Sequence, residues 1–213
     1  LRLSYKSHKI SEAKDLLTIT LKDIYYPFEV DLNYKIYEGL DLIDRNTTIR
    51  NLAEDKVLLE TMYSANWICP YDKDLTLTYM SSAWAEEYNV IKQPLNQSAV
   101  LLESRAGVSN ATAYPYFAVD KNATEDSGKV WFGALQYCGN WQIKAGRDRN
   151  GLPQIIGGIS DFNTTYSLDG GEEFTTPVFT GGFVNNGFGE SKRQFHEYIR
   201  KNSKSVWTNR VMP

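Results

Sequence analysis

Residues 124–141 read TEDSGKVWFGALQYCGNW, and the reading of this stretch decides the fold. It opens on turn formers, Glu125, Asp126, Ser127 and Gly128. Asp and Ser side chains bond their own backbone, and a glycine takes positive φ without a clash. Val130, Phe132, Ala134 and Gln136 then alternate with Trp131, Gly133, Leu135 and Tyr137. Gly139 and Asn140 punctuate, and Trp141 to Ala145 resumes the period of two. Two strands joined by a turn are expected here, a hairpin. Both faces carry apolar residues, which sets the pair between two layers, in the middle of a sandwich.

Upstream, the same period recurs. Leu1 to Ile10 reads as a half-buried strand, and Leu17, Ile19 and Leu21 alternate with Thr18, Thr20 and Lys22. The run from Phe28 to Glu38 and that from Asp41 to Arg50 follow, separated by Gly39. Asn51 to Asp55 is a polar turn, and Lys56 to Cys69 is one further extended run. Short polar turns between such runs describe an antiparallel meander. Leu75 to Met80, Ser98 to Glu103 and Tyr116 to Asp120 also read as strands, with a surface loop over Gly107 to Pro115. Ser82 to Glu87 is either a short helix or an irregular edge.

Downstream, Arg147 to Gly151 is a turn, and Gln154 to Ile159 and Glu173 to Val178 read as the last strands. From Asn186 the period changes. Phe188, Phe195, Tyr198 and Ile199 share a helical stripe from which Glu190, Lys192, Arg193, Glu197 and Arg200 are excluded. Asn185 or Asn186 is expected to cap this helix. A basic tail, Arg200 to Lys204, and an extended Val206 to Pro213 end the chain. The expected division is a β body over 1–185, then an amphipathic helix and linker over 186–213.

The 213 residues suffice for one large all-β domain, or two small ones, and a sizeable core. A net charge of −3 with no run of one sign points away from nucleic acid and membrane surfaces. No apolar stretch approaches the ~20 residues of a membrane span. Leu1-Arg2-Leu3 opens no signal peptide and there is no initiator Met, so the chain reads as a fragment or processed product. Sequons at Asn46, Asn96, Asn110, Asn122 and Asn163 are of the number chance yields in a chain rich in Asn, Ser and Thr, and the expected location is the cytoplasm of a microbe. Cys69 and Cys138 make no disulfide framework, and both are expected as buried free thiols.

No residues assemble a convincing catalytic or cofactor site. His8 and His196, the only histidines, lie near opposite ends, and no pair has metal-ligand spacing. The glycine pairs 157–158, 170–171 and 181–182 lack the strand-to-helix setting of a phosphate loop and read as bulges and turns. Glu125-Asp126 is a candidate carboxylate pair, but glycosidase chemistry needs two carboxyl groups roughly 5 to 9 Å apart across a sugar. Ser104-Arg105 is able to hold an anion, with a salt bridge as the default. Aromatics reach 13%, with 14 Tyr, 9 Phe and 5 Trp, which suits half-wet sheets and, in quantity, sugar binding. The expected sites are therefore none catalytic, none for a cofactor and none for a metal.

Several segments, in order, resemble the N-terminal domain of glycoside hydrolase family 36 α-galactosidases. Ser82-Ala83-Trp84-Ala85-Glu86-Glu87 resembles that family's GAWARE, and Glu103 to Ser109 resembles ESRRGTSS. Thr124 to Trp141 resembles TEDSGEVYGFSLVYSGNF, Glu172 to Pro177 resembles GESFTTPE, and Phe195-His196 stands where the family has FHR. The resemblance spans nearly the whole chain. It implies a supersandwich of two large antiparallel sheets, of galactose-mutarotase type, preceding a (β/α)8 barrel. That barrel carries the Asp nucleophile and Asp acid/base that hydrolyse terminal α-galactosides such as melibiose and raffinose with retention. The chain departs from the family at Asn110 to Tyr116, NATAYPY in place of HQHNPF, and at Cys138 in place of Ser. The partners implied are the barrel of the same polypeptide, an α-galactoside and a homo-oligomer.

Two alternatives stand beside it. One is an autonomous carbohydrate-binding module using Trp67, Trp84, Trp131 and Trp141 together with many of the tyrosines. The other is an enzyme of mutarotase type, which needs a His and a Glu facing one cleft.

Overall fold

The computed structural model describes residues 1–109 and 112–202. Among them the chain forms sixteen strands and one helix. β1 (Leu3–Ile10), β2 (Leu16–Asp23), β3 (Phe28–Ile36) and β4 (Leu42–Asn51) make the expected meander. β5 (Val57–Leu59) and β6 (Tyr63–Ile68) follow, then a hairpin of β7 (Thr76–Ala83) and β8 (Glu86–Pro94). Next come β9 (Val100–Ser104), β10 (Tyr116–Asp120), β11 (Val130–Leu135), β12 (Trp141–Arg147) and β13 (Pro153–Ile159). β14 (Tyr166–Leu168), β15 (Glu173–Thr175), β16 (Phe179–Val184) and α1 (Gly187–Asn202) complete the described chain.

The strands sort into three antiparallel sheets. The large one has ten strands in the order β1-β2-β3-β4-β16-β11-β10-β7-β8, with β15 also on β4. Four strands, β6-β13-β12-β9, form a second sheet, and β14 pairs with β5 in a third. The four-stranded sheet covers one face of the large sheet at its centre. There Trp141, Ile143, Ala145 and Ile155 meet Phe117, Val119, Leu135 and Phe179 in the main core. Helix α1 covers the opposite face, where Phe188, Phe195 and Tyr198 pack on Val130, Phe132, Ala118 and Val184. A third cluster, Phe28, Val30, Ile49 and Leu168, closes the flank beneath β5 and β14. Beyond these covers both wings of the large sheet are bare, and β1 and β8 are its free edges.

The apolar character of both faces of β11 thus has two separate causes, a sheet on one side and a helix on the other. The expected hairpin is corrected. β11 pairs with β10 and β16 in the large sheet, while β12 pairs with β13 and β9 in the small one. Gln136 to Asn140 is therefore a crossover between layers. Local alternation records burial, not partner, so it cannot separate a hairpin from an arch.

Other expectations change with it. Of the two readings of Ser82 to Glu87 the edge is the one seen: it is the tip of the β7–β8 hairpin, where the register shifts between Ser81 and Ala83 and Ala83 pairs with Glu86 across Trp84-Ala85. β8, unread in the sequence, is the bare edge, with most of its residues exposed. β1, read as half-buried, is exposed along nearly its whole length. Lys56 to Cys69 splits into two strands on different sheets. The run 173–178 keeps only a short β15, and β16, which carries no period-two signal, is central. Cys69 is buried as expected, but Cys138 is exposed, in the crossover.

β16 escaped notice because its sequence, FTGGFV, contains two glycines where a strand normally shows side chains. They are there for lack of room. A Cβ on Gly181 would stand 2.6 Å from the indole of Trp67, which lies across from it on β6. Trp67 in turn packs edge-on against Phe179 at 6.3 Å. Gly181→Ala forces the two layers apart or the indole off its rotamer, a loss of about 1–3 kcal/mol. Urea denaturation should show it as a lower midpoint with an unchanged slope.

Candidate functional site

A helix leaves the N–H groups of its first turn without intrahelical partners. In α1 they are met by the turn that opens the TEDSG stretch. Gly187 N–H donates to Gly128 O at 2.9 Å, Phe188 N–H to Thr124 O at 2.9 Å, and Gly189 N–H to Glu125 O at 2.8 Å. The turn is closed on itself by Thr124 N–H to Ser127 O at 2.8 Å, and the Thr124 and Ser127 hydroxyls meet at 2.9 Å. Gly128 at φ 101 and Gly187 at φ 77 supply the backbone reversals. A Cβ on Gly187 would lie 2.4 Å from Thr124 O. The cap expected of Asn185 or Asn186 thus comes instead from three carbonyls some sixty residues earlier.

The last turns of α1 are anchored through a buried carboxylate. Asp44 Oδ2 accepts from Tyr37 Oη at 2.5 Å and Tyr198 Oη at 2.8 Å, and Oδ1 accepts from Thr180 Oγ1 at 2.6 Å. Gln136 Nε2 donates to both Thr180 Oγ1 and Tyr198 Oη at 2.6 Å. Burial, and then the Asp44 carboxylate, raise the Tyr37 phenol well above its ordinary range. The network holds the helix in register on the sheet.

So fixed, α1 and the β7–β8 hairpin bound a groove of about 550 Å³ over β10. The hairpin contributes Thr78, Met80, Val90 and Lys92, and the helix Phe188, Lys192, Phe195, His196 and Ile199. Tyr116, Ala123, Thr124 and Glu125 complete it. Burial pushes the Tyr116 phenol up to about 12, against a hydrogen bond with Ser191 that lowers it. Lys92 Nζ sits 4.7 Å above the Phe188 ring, and Lys192 Nζ lies 2.8 Å from Glu125 Oε1. The surface is apolar with cationic groups set into it. Its one carboxylate, Glu125, is exposed and held by Lys192, whereas retaining glycosidase chemistry needs two carboxyl groups about 5 Å apart. The groove lacks the carboxylate pair of a retaining glycosidase.

Of the residues weighed in the sequence, Glu125 and His196 line the same groove, and the others lie apart. Asp126 is exposed beside Glu125. His196 lines the groove, while His8 is on β1 with its Nδ1 2.7 Å from Tyr5 Oη. No group of three metal-ligating side chains occurs among the described residues. Ser104 Oγ donates to Val108 O at 2.7 Å, and Arg105 pairs with Glu103 at 2.8 Å while its guanidinium lies 3.8 Å from the Phe162 ring centre. Trp141 is fully buried, with its Nε1 donating to Ser109 Oγ at 3.0 Å. Trp67 and Trp131 pack against the core, and Trp84 alone of the four stands free, 95% exposed. With only Trp84 of the four exposed, these tryptophans share no exposed platform for stacking on a sugar. Sequence reasoning missed the groove because one of its walls is β8. No described helix is long and apolar enough to cross a membrane.

Comparison with known proteins gives a consistent picture. Residues 1–169 match the glycosyl hydrolase family 36 N-terminal domain. Alpha-galactosidase Mel36A of Lactobacillus acidophilus is 30% identical over 99% of this chain and 31% of its own length. Alpha-galactosidase AgaA of Geobacillus stearothermophilus is 28% identical over 93% of this chain and 30% of its own. A crystal structure of an AgaA variant in complex with stachyose superposes with a TM-score of 0.92, at 26% identity, covering 99% of this chain and 32% of that one. The chain thus spans about a third of the length of the curated relatives it matches.

Because carbonyls rather than a carboxylate cap α1, two substitutions should part company. Glu125→Gln removes an exposed ion pair and should move stability by no more than about 0.5 kcal/mol. Gly187→Ala meets both the positive φ and the Thr124 carbonyl, and should cost about 1–3 kcal/mol. Thermal melts followed at the helical circular dichroism band compare them directly. The thiols should also separate. Cys138 should react at once with an aromatic disulfide reagent, and Cys69 only in denaturant. Burial pushes the Cys69 thiol up to about 12. As pH climbs above the ordinary thiol range towards that value, only the unfolded chain ionises this group, and its contribution to stability falls.

Proposed function

The chain belongs to the glycosyl hydrolase family 36 N-terminal domain family, and from that premise we propose that it is the non-catalytic supersandwich of a retaining α-galactosidase. In this reading residues 1–185 form the body, and 186–213 carry the chain towards a (β/α)8 barrel that holds both catalytic aspartates. The parent enzyme acts on terminal α-galactosides such as melibiose and raffinose, in the cytoplasm, as a homo-oligomer. This part supports the barrel and contributes contacts to the assembly.

One observation carries the reading: a TM-score of 0.92 over 99% of the chain, to an α-galactosidase of which it spans 32%. The chemistry of the groove and of the helix agrees. The groove has a single carboxylate, engaged by a lysine, and α1 is clamped at both ends as a rigid exit from the sandwich needs to be. Two unpaired cysteines suit a reducing compartment.

Purified chain should give no turnover of a chromogenic α-galactoside at any concentration. Release of the chromophore above the blank, lost on Glu125→Gln, would overturn the assignment and return the carboxylate to candidacy.

A further inference from the structure

Asparagine followed by glycine is the step in a chain most open to self-modification, because a glycine has no Cβ to keep its backbone nitrogen from the preceding side chain. The sequence holds two such steps, Asn150-Gly151 and Asn186-Gly187. Both asparagines are exposed, but their glycines are held in very different ways.

Asn150 lies in the turn between β12 and β13. Gly151 N–H donates to Asp148 O at 2.9 Å, and Asp148 Oδ1 accepts from the N–H groups of Asn150 and Leu152, both at 2.8 Å. Each of these bonds begins and ends between Asp148 and Leu152. A Cβ on Gly151 would meet only the Tyr71 ring, at 3.3 Å. Freeing the Gly151 nitrogen therefore asks for the opening of one surface turn, a local motion of low free energy. Gly187 is buried, and its N–H donates to Gly128 O at 2.9 Å. A Cβ there would stand 2.4 Å from Thr124 O and 2.6 Å from Ser127 N. Freeing this nitrogen means undoing the start of α1, and with it the cover of the large sheet.

We propose that Asn150 is a site of spontaneous modification in the folded chain, and that Asn186 is its protected counterpart. The Gly151 nitrogen, having given up its proton, attacks Asn150 Cγ. A C–N bond closes a cyclic imide, and the side-chain amide leaves as ammonia. Water then opens the ring at either carbonyl, giving aspartate by one route and isoaspartate by the other. Both products place a new carboxylate beside Arg149, close to Asp148. Isoaspartate also threads the main chain through the former side chain, which lengthens the turn that brings Arg147 opposite Pro153. The pairing of β12 with β13 starts at that pair, so modification loosens the small sheet from its turn inward, and that sheet covers the main core. The enzyme class that fits the aged turn is a methyltransferase acting on isoaspartyl carboxylates.

The purified chain, kept warm at mildly alkaline pH and sampled over weeks, tests this. Cleavage before aspartates isolates residues 148–160, which contain no other asparagine. Mass spectrometry of that peptide follows Asn150, and fragment spectra of the peptide holding Asn186 follow the second step. In buffer Asn150 should convert at least about tenfold faster than Asn186, because a turn opens more readily than a helix start. In denaturing urea the two should convert at one rate. An isoaspartyl methyltransferase with labelled methyl donor should mark the aged 148–160 peptide, and Asn150→Gln should abolish that mark. Aged wild type should melt below aged Asn150→Gln. Equal rates in the folded chain overturn the proposal, as does an Asn150 left intact in buffer over the time in which urea converts both. Aged wild type that melts with Asn150→Gln overturns the loosening of the small sheet.

Discussion

Everything on the helix side of the large sheet depends on how α1 begins. Its first N–H groups would be costly if left unpaired against protein, and the body meets them with carbonyls from Thr124, Glu125 and Gly128. That turn is also the entry to β11, the strand whose two faces serve the two main cores. One short segment therefore sets the register of a central strand and the origin of the helix that covers it. The glycines at 128 and 187 are what let two backbones come this close. The Asp44 network then fixes the far end through Tyr198, so that the helix is held at both ends on the same sheet.

Much of this could be read from residues alone, and the limits are instructive. The β1–β4 meander was visible because consecutive runs pair with their neighbours, where local period and topology coincide. β11 to β12 was not, because the period of two is the same whether the next strand lies beside the first or across the core. β16 was hidden by Gly181 and Gly182, whose missing side chains make room for Trp67 and Phe132. β8 was hidden for the opposite reason: exposed on both faces, it has no pattern of burial to print on its sequence. The cap from the Thr124–Gly128 turn uses main-chain oxygens, which every residue has, so side-chain identity pointed instead to Asn185 and Asn186. The groove needed β8 and the cap together, and so was legible in neither.

The resemblance of the TEDSG stretch to family 36 sequences takes on a physical meaning in this light. Glu125 and Asp126 suggest acid–base chemistry by their adjacency. Yet Glu125 contributes its carbonyl to the helix and spends its carboxylate on Lys192, in water. A segment can be specific in sequence because a turn, a cap and a strand entry must be satisfied within five residues.

A domain of this design has an uneven surface for a reason. The centre of the large sheet is sealed on both faces, by four strands and by a helix, and is stable by its own packing. Its wings are left open, with apolar residues along β1 and β8 and an exposed tryptophan at the tip of the β7–β8 hairpin. Bare edges of a sheet are an aggregation hazard unless something covers or interrupts them. On β8 the hazard is moderated by Glu86, Glu87 and Lys92, charges that forbid indiscriminate pairing while leaving the groove beside them apolar. The closed centre, held by its own packing on both faces, is what allows the wings to stay open.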